Sequence, residues 1–203
     1  MELYDNPDTI EFTTPLPDFA AYNFPKNISI LDLGCGYGRV LKHCYQQGYK
    51  NLTGIDISKK LIERAKTTCE HAKLHVGEIT DLSGLDKYDL IMLCGVIEYI
   101  VTNEDRYHLV SEIKNHLNPK GKVLLETFLL DPTDDFYQKS FENGFPYGTI
   151  QLNSGLVLRH ETAKEIDTLF KNSGFIKCQG IETTFTTWVN ALTPGYVVLY
   201  QTQ

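Results

Sequence analysis

The chain has 203 residues, 42% of them hydrophobic, which is within the usual span of one domain and enough for a sizeable core. Its 26 acidic against 19 basic side chains give a formal charge of −7, without the basic footprint that phosphate-dominated nucleic-acid binding requires. No nucleic-acid partner is expected. The five cysteines (Cys35, Cys44, Cys69, Cys94, Cys178) show no CxxC spacing and are odd in number, so a reduced, cytoplasmic protein is the simpler expectation. The start, Met1-Glu2-Leu3-Tyr4-Asp5, has no basic region followed by an apolar stretch, and no window approaches about 18 apolar residues, so neither secretion nor a membrane partner is expected.

Residues 1–27 hold four of the eight prolines (Pro7, Pro15, Pro17, Pro25) and no helical period, which reads as an extended, lid-like leading segment. Its aromatics Tyr4, Phe12, Phe19, Tyr22 and Phe24 predict that it packs on the domain. An apolar run over 28–33 then turns through Gly34, Gly36 and Gly38 into a helical pattern. That is a buried strand, a tight loop and a helix start. The helix over 39–47 carries Val40, Leu41, Cys44 and Tyr45 on one face and closes at Gly48. A second strand, 52–57, has Asp56 near its end, and Ser58 caps a helix over 59–71 with Leu61, Ile62 and Ala65 inward. A short strand over 73–76 leads into Gly77-Glu78-Ile79.

The fourth strand, 88–94, ends at Cys94 and is followed by the loop Gly95-Val96-Ile97-Glu98-Tyr99-Ile100. An amphipathic helix over 104–117 turns Leu109, Val110, Ile113 and Leu117 inward and stops at Asn118-Pro119-Lys120-Gly121, before a fifth strand over 122–128. Strands alternating with helices imply a parallel sheet with right-handed crossovers. The rhythm breaks over 129–160, where Phe136, Tyr137, Phe141, Phe145 and Tyr147 cluster. An insertion this long is usually functional, often a lid. Thr162 and Glu165 fit a capping box for a helix ending near Gly174. Two β-rich runs, 175–185 and 196–202, close the chain around a turn signalled by Pro194, and such a hairpin adds an antiparallel strand.

Alternate glycines at a strand's carboxyl end let a ligand approach the backbone, and Asp32, two residues before Gly34, favours a cationic ligand group over a bare phosphate. The dinucleotide fingerprint needs a third glycine where Arg39 stands, and no Lys-Ser/Thr pair makes a phosphate loop. The series Asp32-x-Gly34-x-Gly36-x-Gly38, followed by Asp56 in Gly54-Ile55-Asp56-Ile57-Ser58, resembles the first two motifs of the class I S-adenosylmethionine-dependent methyltransferases. Glu78-Ile79, Tyr88-Asp89-Leu90-Ile91 through Ile97-Glu98-Tyr99, and Asn118-Pro119-Lys120-Gly121 are similar to the later motifs, so the resemblance covers about residues 28–128.

The resemblance implies an α/β fold, a Rossmann-like three-layer sandwich with a seven-stranded, mostly parallel sheet and an antiparallel C-terminal hairpin strand. A single methyltransferase domain over 1–203 is expected. It also implies S-adenosyl-L-methionine as donor and S-adenosyl-L-homocysteine as product. Asp56 is then the acid that holds the ribose hydroxyls, Ile57 lies against the adenine, and Glu78 and Ile79 meet the adenine edge. Asp32, Gly34, Cys35, Gly36, Tyr37, Gly38 and Cys94 complete the implied cofactor site.

Many relatives carry a histidine where this chain has Tyr99, which removes an imidazole base at that position. The catalytic candidates are His160, whose ordinary pKa lies near operating pH, with Glu98 and Tyr99. The substrate-binding candidates are Tyr137, Phe145, Tyr147 and Arg159. Each has a plainer reading: Arg159-His160 can simply precede the cap at Thr162, Glu98 can be a helix-start acid, and the aromatics can be lid packing. His71 and His75 straddle a helix-to-strand break and make a poor metal pair, so no metal is expected. The expected function is in-line methyl transfer to a small-molecule acceptor, bound above strands one, four and five, in a monomer or homodimer. A non-catalytic cofactor sensor or partner subunit, aminopropyl transfer, and methylation of protein or RNA stay open as alternatives.

Overall fold

Apolar residues in the strands alternate between two faces, and each face has found its own set of helices. The computed structural model of the chain describes residues 15–142, 144, 146–151, 155–186 and 192–203. Its strands are β1 (Ser29–Leu33), β2 (Asn51–Asp56), β3 (Lys73–Val76), β4 (Tyr88–Cys94), β5 (Leu117–Phe128), β6 (Thr149–Gln151), β7 (Val157–Arg159), β8 (Phe175–Thr186) and β9 (Leu192–Thr202). Seven of them form one sheet in the order β3-β2-β1-β4-β5-β9-β8, while β6 and β7 pair as a separate ribbon. The pairings β1 with β2, β1 with β4, β2 with β3 and β4 with β5 are parallel. β9 runs antiparallel to both β5 and β8 and is the one reversed strand of this sheet.

The helices are α1 (Phe19–Tyr22), α2 (Arg39–Gln46), α3 (Lys59–Thr68), α4 (Asn103–Asn115), α5 (Asp135–Glu142) and α6 (Ala163–Asn172). Leu31, Leu33, Ile91, Leu93, Val123 and Leu125 on one sheet face pack with Leu109, Val110 and Ile113 of α4 and Ile166, Leu169 and Phe170 of α6. Ile30, Leu90, Met92, Leu124 and Leu199 on the other face meet Phe19, Val40, Leu41, Cys44, Ile62 and Ala65 of α1, α2 and α3. The period of two in the strands and of 3.6 in the helices thus produces three layers. Ser58 Oγ accepts the Leu61 N–H at the start of α3, and Thr162 with Glu165 forms a reciprocal capping box at α6.

Three expectations need adjustment. The leading segment is not wholly extended: Asp18 caps the short turn α1, and Phe19 and Phe24 are buried around Tyr49. Tyr4 and Phe12 lie outside the described residues. Pro194 is a strand residue in β9, paired with Thr184, and not a turn residue. Its missing N–H is tolerated near a strand's start, while its carbonyl accepts the Leu129 N–H at 2.8 Å. The stop at 118–121 falls inside β5. Tyr88 pairs with Leu117 and Leu90 with Lys122, so the intervening residues bulge out of the ladder, with Lys120 in the left-handed region at φ 64°.

Candidate active site

The corner between β1 and α2 is built largely from backbone. The N–H groups of Gly34 and Cys35 donate to the Ile55 carbonyl at 2.8 and 3.0 Å, lashing the loop to β2. Asp56, at the end of β2, accepts the Gly36 N–H on Oδ2 and the Ser58 N–H on Oδ1, each at 2.8 Å. Its carboxylate is therefore fixed from both sides, with a second lone pair on each oxygen still available. Burial raises its pKa, and those two amides oppose the rise. Gly38 lies at φ 84°, and a Cβ there would come within 2.3 Å of Cys69 Sγ, so this glycine lets α2 start hard against α3. The third glycine of the dinucleotide fingerprint packs helix on strand, whereas Gly38 serves the approach of α2 to α3.

A cavity of about 380 Å³ opens over the carboxyl ends of β1, β2 and β4, within the range of small-molecule sites. Of the cofactor candidates, Asp32, Gly34, Cys35, Asp56, Ile57, Glu78, Ile79 and Cys94 line it. Gly36, Tyr37 and Gly38 do not; Gly36 orients Asp56, and the Tyr37 ring lies under the Arg64 guanidinium at 4.2 Å. Asp32 is buried, and one of its oxygens, Oδ2, has no hydrogen-bond partner. Burial pushes its pKa up to about 8, with Arg39 opposing and the Asp56 and Glu126 carboxyls adding to the rise. Arg39, Thr80, Val96, Ile100 and Leu156 also form part of the wall, and none was singled out from the sequence as a site residue.

Of the catalytic candidates only Tyr99 reaches the cavity. Glu98 is buried beneath the loop, where its Oε1 accepts the Phe128 N–H at 2.9 Å and burial raises its pKa. His160 is not in the cavity wall. Its Nδ1 lies 2.6 Å from Tyr137 Oη, and its ring stacks on Phe128 with centroids 6.0 Å apart. Burial, with Arg106 adding to the effect, lowers its pKa to about 4, so the imidazole is neutral at physiological pH.

Arg159 donates from Nη1 to the Val101 carbonyl at 2.9 Å and from Nη2 to Glu161 Oε1 at 2.5 Å. The other Glu161 oxygen pairs with Arg106, which also donates to the carbonyls of Ile100, Ile97 and Arg159. This ion network ties the end of the 129–160 insertion to the loop that carries Tyr99 and Ile100. Tyr137 is buried with His160, Tyr147 is half exposed against Phe141, and Phe145 lies outside the described residues. Arg106 had a visible signal: it falls on the same helical face as Leu109, Val110 and Ile113, a charge at a core position. Glu161 had none.

The family description "Methyltransferase domain" matches residues 9–178. The chain belongs to the class I S-adenosylmethionine-dependent methyltransferases. This member of the family is 25% identical, over 119 residues, to a dTDP-3-amino-3,4,6-trideoxy-alpha-D-glucopyranose N,N-dimethyltransferase of Streptomyces venezuelae, covering 58% of this chain and 50% of that one. It spans about half the length of the curated relatives it matches. In fold it is similar to an S-adenosylmethionine-dependent methyltransferase of Methanosarcina mazei, with a TM-score of 0.85, 21% identity, and coverage of 92% of this chain and 98% of that one. It is also similar to the 1,6-didemethyltoxoflavin-N1-methyltransferase of Burkholderia thailandensis, solved with 1,6-didemethyltoxoflavin and S-adenosylhomocysteine, at a TM-score of 0.67, 16% identity, and coverage of 88% and 72%. No helix among the described residues is long and apolar enough to cross a membrane.

Proposed function

We propose that the chain transfers a methyl group from S-adenosylmethionine to a small-molecule acceptor. The observation that carries this reading is the cavity itself, which presents two carboxyl groups, Asp32 and Asp56, with the apolar side chains of Ile57 and Ile79 between the ends of the strands. A ligand that is cationic at one end, hydroxylated in the middle and flat and apolar at the other fits that order of groups.

Asp56, already oriented by two amides, would receive the paired ribose hydroxyls on its remaining lone pairs, a contribution on the order of 3 kcal/mol. Ile57, 58% exposed beside the cavity, offers an apolar platform for the adenine, with Ile79 on the same wall and Glu78 at its edge. Asp32, with its unpartnered Oδ2, would take the ammonium end, and Arg39 supplies a cation for the carboxylate beside it. When bound, the donor supplies a methyl carbon already activated by its sulfonium. Tyr99, Ile100 and Leu156, which line the same cavity, would wall the acceptor side. Holding acceptor and methyl in line is worth roughly 7 to 11 kcal/mol in favourable systems, so no general base is assigned. His160 is positioned for the packing of the insertion, where it accepts or donates at Nδ1 to Tyr137.

A small acceptor is in keeping with the relatives, one named for an amino sugar and one solved with a toxoflavin precursor. The test is formation of S-adenosylhomocysteine on incubation with the donor and a panel of small amines, phenols, thiols and carboxylates. Acceptor-dependent product that disappears in Asp56→Ala supports transfer. Donor binding with no product from any class would overturn transfer and leave a cofactor sensor.

A further inference from the structure

The acceptor side of the cavity comes from two segments far apart in the chain. Tyr99 and Ile100 stand in the loop after β4, while Leu156 is the residue before β7, in the insertion. Among the described strands β7 pairs with β6 alone, outside the seven-stranded sheet, so the ladders of that sheet do not set where Leu156 stands. Residues 149–151 pair with 157–159, which makes the ribbon one unit leading from Leu156 to Arg159.

Side chains join the two segments. Arg159, the last residue of β7, donates from Nη1 to the Val101 carbonyl at 2.9 Å and from Nη2 to Glu161 Oε1 at 2.5 Å. Arg106 of α4 donates from Nε to the Ile100 carbonyl at 2.6 Å, and from Nη2 to the carbonyls of Ile97 at 3.2 Å and Arg159 at 3.0 Å. Glu161 places one oxygen on each guanidinium. The loop that carries Tyr99 and Ile100 is therefore held, through its carbonyls, by the same two arginines that hold the end of the ribbon. The donor end is built without them: Gly34, Cys35 and Gly36 are fastened to Ile55 and Asp56 through their own N–H groups.

We propose that Arg159 is a positioning residue for the acceptor, clamping β7 to the loop after β4 so that Leu156 is fixed relative to Tyr99 and Ile100. It thereby sets which acceptors fit. Planar guanidinium bonds fix direction as well as distance, and an apolar pocket discriminates by fit, about tenfold or more for one methylene. A wall released from Arg159 accommodates more and grips less. The proposal rests on the transfer reading above, in which Tyr99, Ile100 and Leu156 face the acceptor. Expected from the sequence to touch substrate, Arg159 instead commits its guanidinium to protein groups and acts through the wall. Its side chain is 21% exposed against 3% for Arg106, and its removal leaves Glu161 paired with Arg106. The wall can thus be loosened without stranding a buried charge.

The test is steady-state kinetics with S-adenosylmethionine and the member of the amine, phenol, thiol and carboxylate panel that the wild-type protein methylates, beside its homologue with one more methylene. Calorimetry with S-adenosylmethionine reads the donor end. In Arg159→Ala the expected result is acceptor KM raised about tenfold, kcat within about threefold, donor Kd within about twofold, and weaker discrimination against the longer homologue. Arg159→Lys, which keeps the charge but not the fork, should fall between. Leu156→Ala should raise acceptor KM as well, and the double variant should show less than the product of the two effects, because both act through one side chain. Unchanged acceptor KM in folded Arg159→Ala, equal weakening of donor and acceptor, or effects that simply multiply would overturn the proposal. If Arg159→Ala does not fold, Arg159→Lys decides: a raised acceptor KM at unchanged donor Kd sustains the proposal, and a wild-type KM overturns it. No product from the wild-type protein with any class is a distinct failure, of the transfer reading itself, and the proposal falls with it.

Discussion

Asp56 at the cavity and Arg106 at the insertion end are both buried titratable groups, and they are satisfied in different ways. Asp56 is held by two backbone amides within a single corner of the chain, and its remaining lone pairs face a cavity. Arg106 is held by Glu161, 55 residues away, and by carbonyls of Ile97, Ile100 and Arg159, which together engage four of its five N–H donors. The first arrangement leaves capacity for a ligand. The second uses its capacity internally and acts as a fastening between the insertion and the cavity-lining loop. Burial of charge alone does not mark a binding site; unspent hydrogen-bonding capacity beside a cavity does.

The contrast predicts that damage at the two ends will be felt in different measurements. The largest effect is expected from Glu161→Ala, which strands Arg106 without its carboxylate partner and should lower stability by about 3 to 5 kcal/mol in urea unfolding. A stability change below about 1 kcal/mol would mean that the network is not a fastening. Asp56→Ala comes next, with donor affinity reduced about a hundredfold by calorimetry. Retained affinity in that variant would erase the distinction drawn between the two ends.

The third prediction concerns pH. Asp32 and Glu126 have folded pKa values raised to about 8 and about 7, far above those of unfolded carboxyls. Between about pH 6.5 and 8 the folded protein therefore binds more protons than the unfolded chain, and stability falls as pH rises. His160, depressed to about 4, works in the opposite sense and only below about pH 6.5, where the unfolded imidazole takes up a proton first. Thermal or urea unfolding of the unliganded protein should thus lose about 2 kcal/mol across the upper window, and Asp32→Asn should flatten that slope. A slope unchanged in the variant would place the titration elsewhere. The smallest effect is expected at the donor cavity from His160→Ala, with donor affinity and turnover within about threefold of wild type, because His160 packs with Tyr137 and Phe128 outside the cavity wall. A larger loss of turnover at unchanged donor affinity would restore His160 as a base.

What was legible in the sequence follows the same division. The strand, glycine turn and helix around Asp32 to Arg39 are specified by residues close together in the chain, and so is the acid that ends β2. Local chemistry of that kind can be read one segment at a time. The C-terminal strands were legible as strands, but Pro194 looked like a turn because its tolerance depends on where β5 stops, which is a tertiary fact. The pairing of Arg106 with Glu161 and of Tyr137 with His160 depends on how the insertion folds back across the sheet, and no local pattern encodes it. Glu126 was passed over inside an apolar strand because the face that receives it is decided by its register with Cys94. Leu156, similarly, reaches the cavity only through the placement of the insertion, of which β6 and β7 form a part.

The central claim is that the cavity over β1, β2 and β4 is a donor site. Titration calorimetry of the folded protein with S-adenosylmethionine tests it most directly. Saturable heat with one ligand per chain, strongly weakened in Asp56→Ala, is the predicted result; no heat from a folded sample at donor concentrations up to about 1 mM would contradict it.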